Sequence, residues 1–191
     1  MNRHRTVLIL VCMITLGAAT VAFGGGRDHD RGDRHHDKSQ FAAADLLDAD
    51  GRQVGRAWFK EHGRDGAVSV FARVDGLPPG FHGFHIHTTG TCEPPSFTSA
   101  GGHFNPTGAS HGDHAGDLPT LLVNEDGTGM LAATTDRFSL GDLRDADGSA
   151  VMVHELPDNY ANIPERYDPP ADEITLSTGD AGSRLACGEL R

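Results

Sequence analysis

His85 and His87 stand two apart in Phe84-His85-Ile86-His87, and His103 follows in Gly102-His103-Phe104-Asn105-Pro106. His111, His114 and Asp117 close the stretch, so five histidines and a carboxylate fall within residues 84–117. Imidazole is the commonest side-chain ligand for zinc and copper, and a carboxylate added to it suits zinc. Core packing calls for no such concentration of histidine in one segment. The stretch therefore reads as a metal site, and the rest of the chain as its support.

Short strands must hold these side chains. From Gln40 the apolar residues recur with a period of two. Residues 41–47, 54–61 and 67–74 are strand candidates, separated by turns at Asp48-Ala49-Asp50-Gly51 and His62-Gly63-Arg64-Asp65-Gly66. Val68, Val70, Ala72 and Val74 share one face of the third. In the fourth strand, alternation puts Phe84 and Ile86 on one face and His85 and His87 on the other. Apolar residues belong inside, so the two histidines project outward, to a site covered by loops. Residues 119–124, 129–135, 150–154 and 184–190 are further strand candidates, and 140–148 reads as a polar turn region. In 150–154, Val151 and Val153 face in, and His154 faces out on the side of His85 and His87. Residues 88–117 and 156–182 are long connections without a clear period, and such connections in compact domains are functional or disordered. The histidines make the first of them functional. Many short strands with regular turns indicate an all-β sandwich or barrel. Trp58 and Phe71 fall on its outer face, either as an association surface or as singly exposed aromatics.

The chain of 191 residues is long enough for one domain with appendages. Its formal net charge of −11 excludes nucleic acid as a partner, because phosphate binding needs clustered Lys and Arg. Met1-Asn2-Arg3-His4-Arg5 followed by an apolar run over 6–23 reads as an export signal with a cleavage site near Thr20-Val21-Ala22; an uncleaved anchor is the rival. Residues 1–23 are thus a signal peptide or anchor. Residues 24–38 hold no apolar side chain and read as a disordered, histidine-containing polar linker, and 39–191 form the domain. Cys12 leaves with the leader, so Cys92 and Cys187 remain as an even pair in an exported chain and are expected to form a disulfide. The expected location is the periplasm, the cell envelope or the extracellular space, with membrane contact only if the leader is retained.

From about residue 42 to 190 the chain resembles the copper/zinc superoxide dismutases, most of all the exported bacterial forms. The matching segments are His82-Gly83-Phe84-His85-Ile86-His87, Gly102-His103-Phe104-Asn105-Pro106, His114-Ala115-Gly116-Asp117-Leu118, Val153-His154-Glu155 and Ala181-Gly182-Ser183-Arg184-Leu185-Ala186-Cys187-Gly188. The resemblance implies an eight-stranded Greek-key β-barrel with two long functional loops. It implies that His85, His87, His103 and His154 bind copper and that His103, His111, His114 and Asp117 bind zinc, with His103 bridging the two ions. It assigns Asp158 to link a copper ligand to a zinc ligand, Arg184 to hold the anion, and Arg184 and His103 to catalysis. His82 matches a structural histidine. One copper and one zinc per subunit, a small anionic substrate and dismutation of superoxide to oxygen and hydrogen peroxide follow from the same resemblance. Whether the chain forms a homodimer is left open.

Two departures accompany it. Only Gly112-Asp113 separates His111 from His114, a shorter link than the family usually has, which leaves open whether His111 is a ligand. Ser177 stands where many members carry a steering lysine, and Arg144 or Arg166 could replace it. An acidic chain repels an anionic substrate overall, so local positive potential must prevail at the site. The alternative function is a non-catalytic extracytoplasmic carrier of copper or zinc on the same fold.

Overall fold

The computed structural model describes residues 40–63 and 66–191. The leader and linker expected over 1–38 lie outside the described residues, as does part of the turn after residue 62. Nine strands form one antiparallel sheet: β1 Phe41–Asp48, β2 Gln53–Glu61, β3 Val68–Val74, β4 Gly80–His82, β5 Phe84–His87, β6 Leu121–Val123, β7 Gly129–Thr135, β8 Ala150–His154 and β9 Arg184–Glu189. Their spatial order is β4-β6-β7-β3-β2-β1-β9-β8-β5. The two edge strands are consecutive in the chain, so the sheet curls into a nearly closed barrel.

That closure explains nine strands where eight were expected. The fourth strand is split at Gly83. Before it, Gly80–His82 pairs with β6; after it, Phe84–His87 pairs with β8. Gly83 itself donates to Leu156 O and accepts from His154 N, both at 2.8 Å. A Cβ there would lie 2.8 Å from the Ala181 Cβ, so no larger residue fits the crossing.

The inward faces follow the alternation. Leu46, Phe59, Val68, Val70, Phe84, Ile86, Val151 and Val153 are fully buried or nearly so in one core cluster. Each such side chain contributes about 1.5–3 kcal/mol on burial. The segment 140–148 differs from its polar reading: Leu140 and Leu143 enter the same core. Spaced three apart around the 3-10 turn Asp142–Arg144, they share one side of the chain, a pattern too short to register as periodicity.

A second, smaller cluster lies on the outer side of β8 and β9, where Met152 and Cys187 pack with Phe97 and Ala100 of the loop after β5. The Cys92–Cys187 disulfide ties that loop to β9, with the cysteines 95 residues apart in the chain. In the chain-entropy account, a loop of this length makes the bridge worth about 4–5 kcal/mol. Paired Cys92→Ser and Cys187→Ser substitutions are expected to lower the calorimetric Tm of the metal-free protein by roughly 10–20 °C. A Tm within about 3 °C of the parent's would show that the bridge adds little to stability.

Candidate metal centre

The outward histidines of β5 are not exposed. His85 and His87 have 0% and 1% of their surface accessible, because the loops around them roof that face of the barrel. The loop after β5 folds back along the strand. Ile86 N donates to Gly116 O, Phe104 N to Ile86 O, and Thr88 N to Gly102 O. Bridge pairings set His87 against His103 and His85 against Asp117. This local pairing carries the loop ligands to the strand ligands.

Two groups of potential metal-binding side chains result. One comprises His85, His87, His103 and His154; the other comprises His103, His111, His114 and Asp117. Within each, one ligand atom per residue lies within 4.8 Å of all the others, and every member is buried. His103 belongs to both groups. His82 belongs to neither: its two ring nitrogens bond to His154 O and Pro78 O, each at 2.8 Å.

Hydrogen bonds outside each group decide which nitrogen faces inward. His87 Nδ1 donates to Gly101 O at 2.9 Å and His154 Nδ1 to Gly182 O at 3.2 Å. Carbonyls only accept, so each Nε2 keeps its lone pair, and the two Nε2 atoms face one another at 3.3 Å. His85 Nε2 donates to Asp158 Oδ2 and His111 Nε2 to Asp158 Oδ1, both at 2.8 Å. Asp158 thus spans the two groups through one carboxylate. His103 Nδ1 lies 2.9 Å from Asp117 Oδ1 and 3.4 Å from His114 Nδ1.

The inward atoms left over test the fit to metal. His85 Nδ1, His103 Nε2 and His111 Nδ1 are buried without a hydrogen bond. An unsatisfied buried polar group costs about 1–3 kcal/mol. Three in one buried cluster, beside two opposed lone pairs, are what cations would satisfy. Three imidazoles and a carboxylate make a closed tetrahedral zinc set, and four imidazoles suit copper.

The electrostatics agree with ligand duty. Burial pushes His85 down to about 4 and His154 to about 3, and holds His87 far below its ordinary value. Burial also lowers His114. His111 goes the other way: burial opposes its charge, but the Asp158 hydrogen bond and the Asp117 charge raise it. Burial works against ionised Asp158, yet hydrogen bonds from His111, His85 and Tyr160 N keep its carboxylate well below the usual range. With His85 and His154 depressed from 6.5, the metal-free fold binds fewer protons than the unfolded chain as pH falls from about 6.5 to 4. Its stability is full above that window and is lost through it. Calorimetry of the metal-free protein should show Tm falling steadily from pH 6.5 to 4; a flat Tm would contradict neutral buried imidazoles.

The short link between His111 and His114 is a turn built on Asp117, whose Oδ2 accepts from Gly112 N at 2.7 Å and His114 N at 3.1 Å. Sequence reasoning missed its outer support. Arg137 donates to Gly112 O at 3.0 Å and to His114 O at 3.2 Å, from a position no local pattern connects to the site. It also missed the helix α1, Glu173–Thr178, inside the second long loop. Asp172 caps α1 at its start, accepting from Ile174 N and Thr175 N, and a D-x-x-T pattern is a legible cap signal. Gly179 ends it at φ 61°, and a Cβ there would strike Asp158 Oδ1, so only glycine lets the chain pass this close to Asp158.

Arg184 lies beside the four-histidine group. Its guanidinium donates to Phe97 O and, at 2.6 Å, to Gly101 O, the carbonyl that also holds His87. Its charge acts on both His87 and His154. A bulge between Val153 and His154 puts Arg184 opposite His154 while Ala186 pairs with Val153 in the core. Ser177 lies in α1 with its hydroxyl on Glu173 O. Arg144 donates to Phe41 O and Arg166 stacks on Tyr167 at 5.2 Å.

Comparison with known proteins places this geometry. The family model described as Copper/zinc superoxide dismutase (SODC) matches residues 53–190. A copper–zinc superoxide dismutase of Mycolicibacterium paratuberculosis is 45% identical over 158 residues, covering 74% of this chain and 70% of that protein. One from Mycobacterium tuberculosis is 41% identical over 169 residues, covering 80% and 70%. Among solved structures, a SOD-like protein from Bacillus subtilis superposes with a TM-score of 0.62 at 34% identity, covering 77% of this chain and 96% of that one.

Proposed function

Because the chain belongs to the copper/zinc superoxide dismutase family, we propose that it dismutates superoxide at a paired copper and zinc site. The observation that carries this reading is His103, the one residue shared by the two buried ligand groups. Copper would be held by His85, His87, His103 and His154, and zinc by His103, His111, His114 and Asp117, with His103 common to both sets. Copper bound there supplies a one-electron redox couple, and zinc a fixed charge beside it.

The chain's own residues do the rest. Arg184 offers a permanent cation beside the copper set, fixed by two carbonyls, where an anion can dock. His103 Nε2 is buried without another partner, so when no metal occupies it that atom is the one free to hold a proton for the peroxide product. Asp158 fixes the rings of His85 and His111, one in each group, and so would hold both rings in place for their ions. The balance is two superoxide ions and two protons to one oxygen and one hydrogen peroxide. The Cys92–Cys187 bridge supports an exported, oxidising location.

Protein loaded with copper and zinc is expected to remove superoxide in a cyanide-sensitive assay. Tight uptake of both metals with no dismutation would favour the carrier reading instead.

A further inference from the structure

The ligand groups draw on β5, β8 and their loops; β1, β2, β3 and β7 carry none of them. The outer face of those four strands is laid out by register. Ala43, Trp58, Phe71 and Ala132 form one cross-strand row. Phe41, Lys60, Ser69 and Thr134 form the row on one side, and Asp45, Arg56, Arg73 and Met130 the row on the other. Trp58 is 41% exposed, Phe71 48% and Met130 77%. Arg56 stands 5.9 Å over the Trp58 ring and Lys60 5.8 Å over Phe41.

The charge on this face is opposite to that of the chain. Three cations, Arg56, Lys60 and Arg73, face one carboxylate, Asp45, which pairs with Arg56 at 3.5 Å. Lys60 and Arg73 have no ion pair among the described residues. A formally −11 chain has thus gathered positive charge around its exposed aromatics. A second copy meeting this face head on would set three cations against three, which is repulsive. An anionic occupant is complementary.

Aromatic rings flanked by Lys and Arg are the side-chain set that settles at a lipid headgroup boundary: the rings enter the interface and the cations meet anionic headgroups. We propose that the outer face of β1, β2, β3 and β7 docks on an anionic lipid surface, with Trp58 and Phe71 at the headgroup level and Arg56, Lys60 and Arg73 on the lipid phosphates.

Trp58 is the one tryptophan of the chain, so its emission reads this face and no other. The full chain is titrated with vesicles of phosphatidylcholine containing about a third phosphatidylglycerol. The expected result is a blue shift of Trp58 emission, absent with pure phosphatidylcholine and reversed by high salt. The double variant Lys60→Glu, Arg73→Glu, both exposed and remote from the ligand groups, should keep its dismutase activity and its far-ultraviolet circular dichroism. It should lose the shift, with partitioning weakened at least about tenfold. Trp58→Ser should weaken partitioning in a co-sedimentation assay. Four outcomes would overturn the proposal. They are no shift with anionic vesicles, an equal shift with neutral ones, a shift that follows protein concentration without lipid, and a response to single-stranded oligonucleotide but not to lipid.

Discussion

Arg184→Ala is expected to lower kcat/KM for superoxide by about ten- to a hundredfold while copper content stays near that of the parent. The magnitude is that of local electrostatic attraction on the arrival of a charged ligand. Much of the second long loop is acidic, and its cations are few: between residues 155 and 182 only Arg166 is basic, and it stacks on Tyr167. Ser177 brings no charge to the helix where a lysine would stand. In the proposed function, Arg184 is the cation that draws superoxide to the four histidines. Its two carbonyl bonds make it a positioned group and not a swinging one. Arg184→Lys keeps the charge but cannot span both carbonyls, so partial recovery is expected. Superoxide removal by pulse radiolysis and copper by atomic absorption separate the cases. Copper lost in proportion to activity would mean that Arg184 chiefly supports Gly101 and, through it, His87.

The second large effect is expected at Asp158. Its two oxygens accept from His85 and His111 at 2.8 Å each, so one side chain orients a ring in each group. Removing a carboxylate that orients a ligating histidine typically costs ten- to a hundredfold in metal affinity. Asp158→Ala leaves two buried N–H groups without acceptors and frees both rings to turn. Zinc retention against a chelator should fall by about that factor. Copper retention should fall as well, because each group loses the anchor of one ring and keeps three other members. Asp158→Asn retains one accepting oxygen and turns the other position into a donor, so it should satisfy one ring at most. Unchanged zinc retention in Asp158→Ala would remove Asp158 from the role given to it.

Much of the barrel was legible because alternation is local and strict. The phase of Phe84 and Ile86 against His85 and His87, and of Val151 and Val153 against His154, assigned inside and outside before any strand was paired. The structure agrees at every one of those positions. The cysteine pair was legible by count, and the disulfide joins those two residues. The gathering of the ligand groups had a local cause too, since the loop after β5 returns along the strand that bears His85 and His87.

Residue types and their period determined that this chain is all-β, that His85, His87 and His154 face away from the core, and that the histidine-rich stretch suits metal; the division into a copper and a zinc set was what the family resemblance implied. Only the tertiary structure decided how the barrel closes at Gly83, that Leu140 and Leu143 belong to the core, and that Arg137 braces the turn between His111 and His114. It also decided the place of Arg184, which strict alternation would have put on the core side with Ala186; the bulge beside His154 turns it outward. The reason is common to all of these. Period and composition describe a residue's neighbours in the chain, whereas bulges, strand edges and braces are set by the strand or loop that happens to lie opposite.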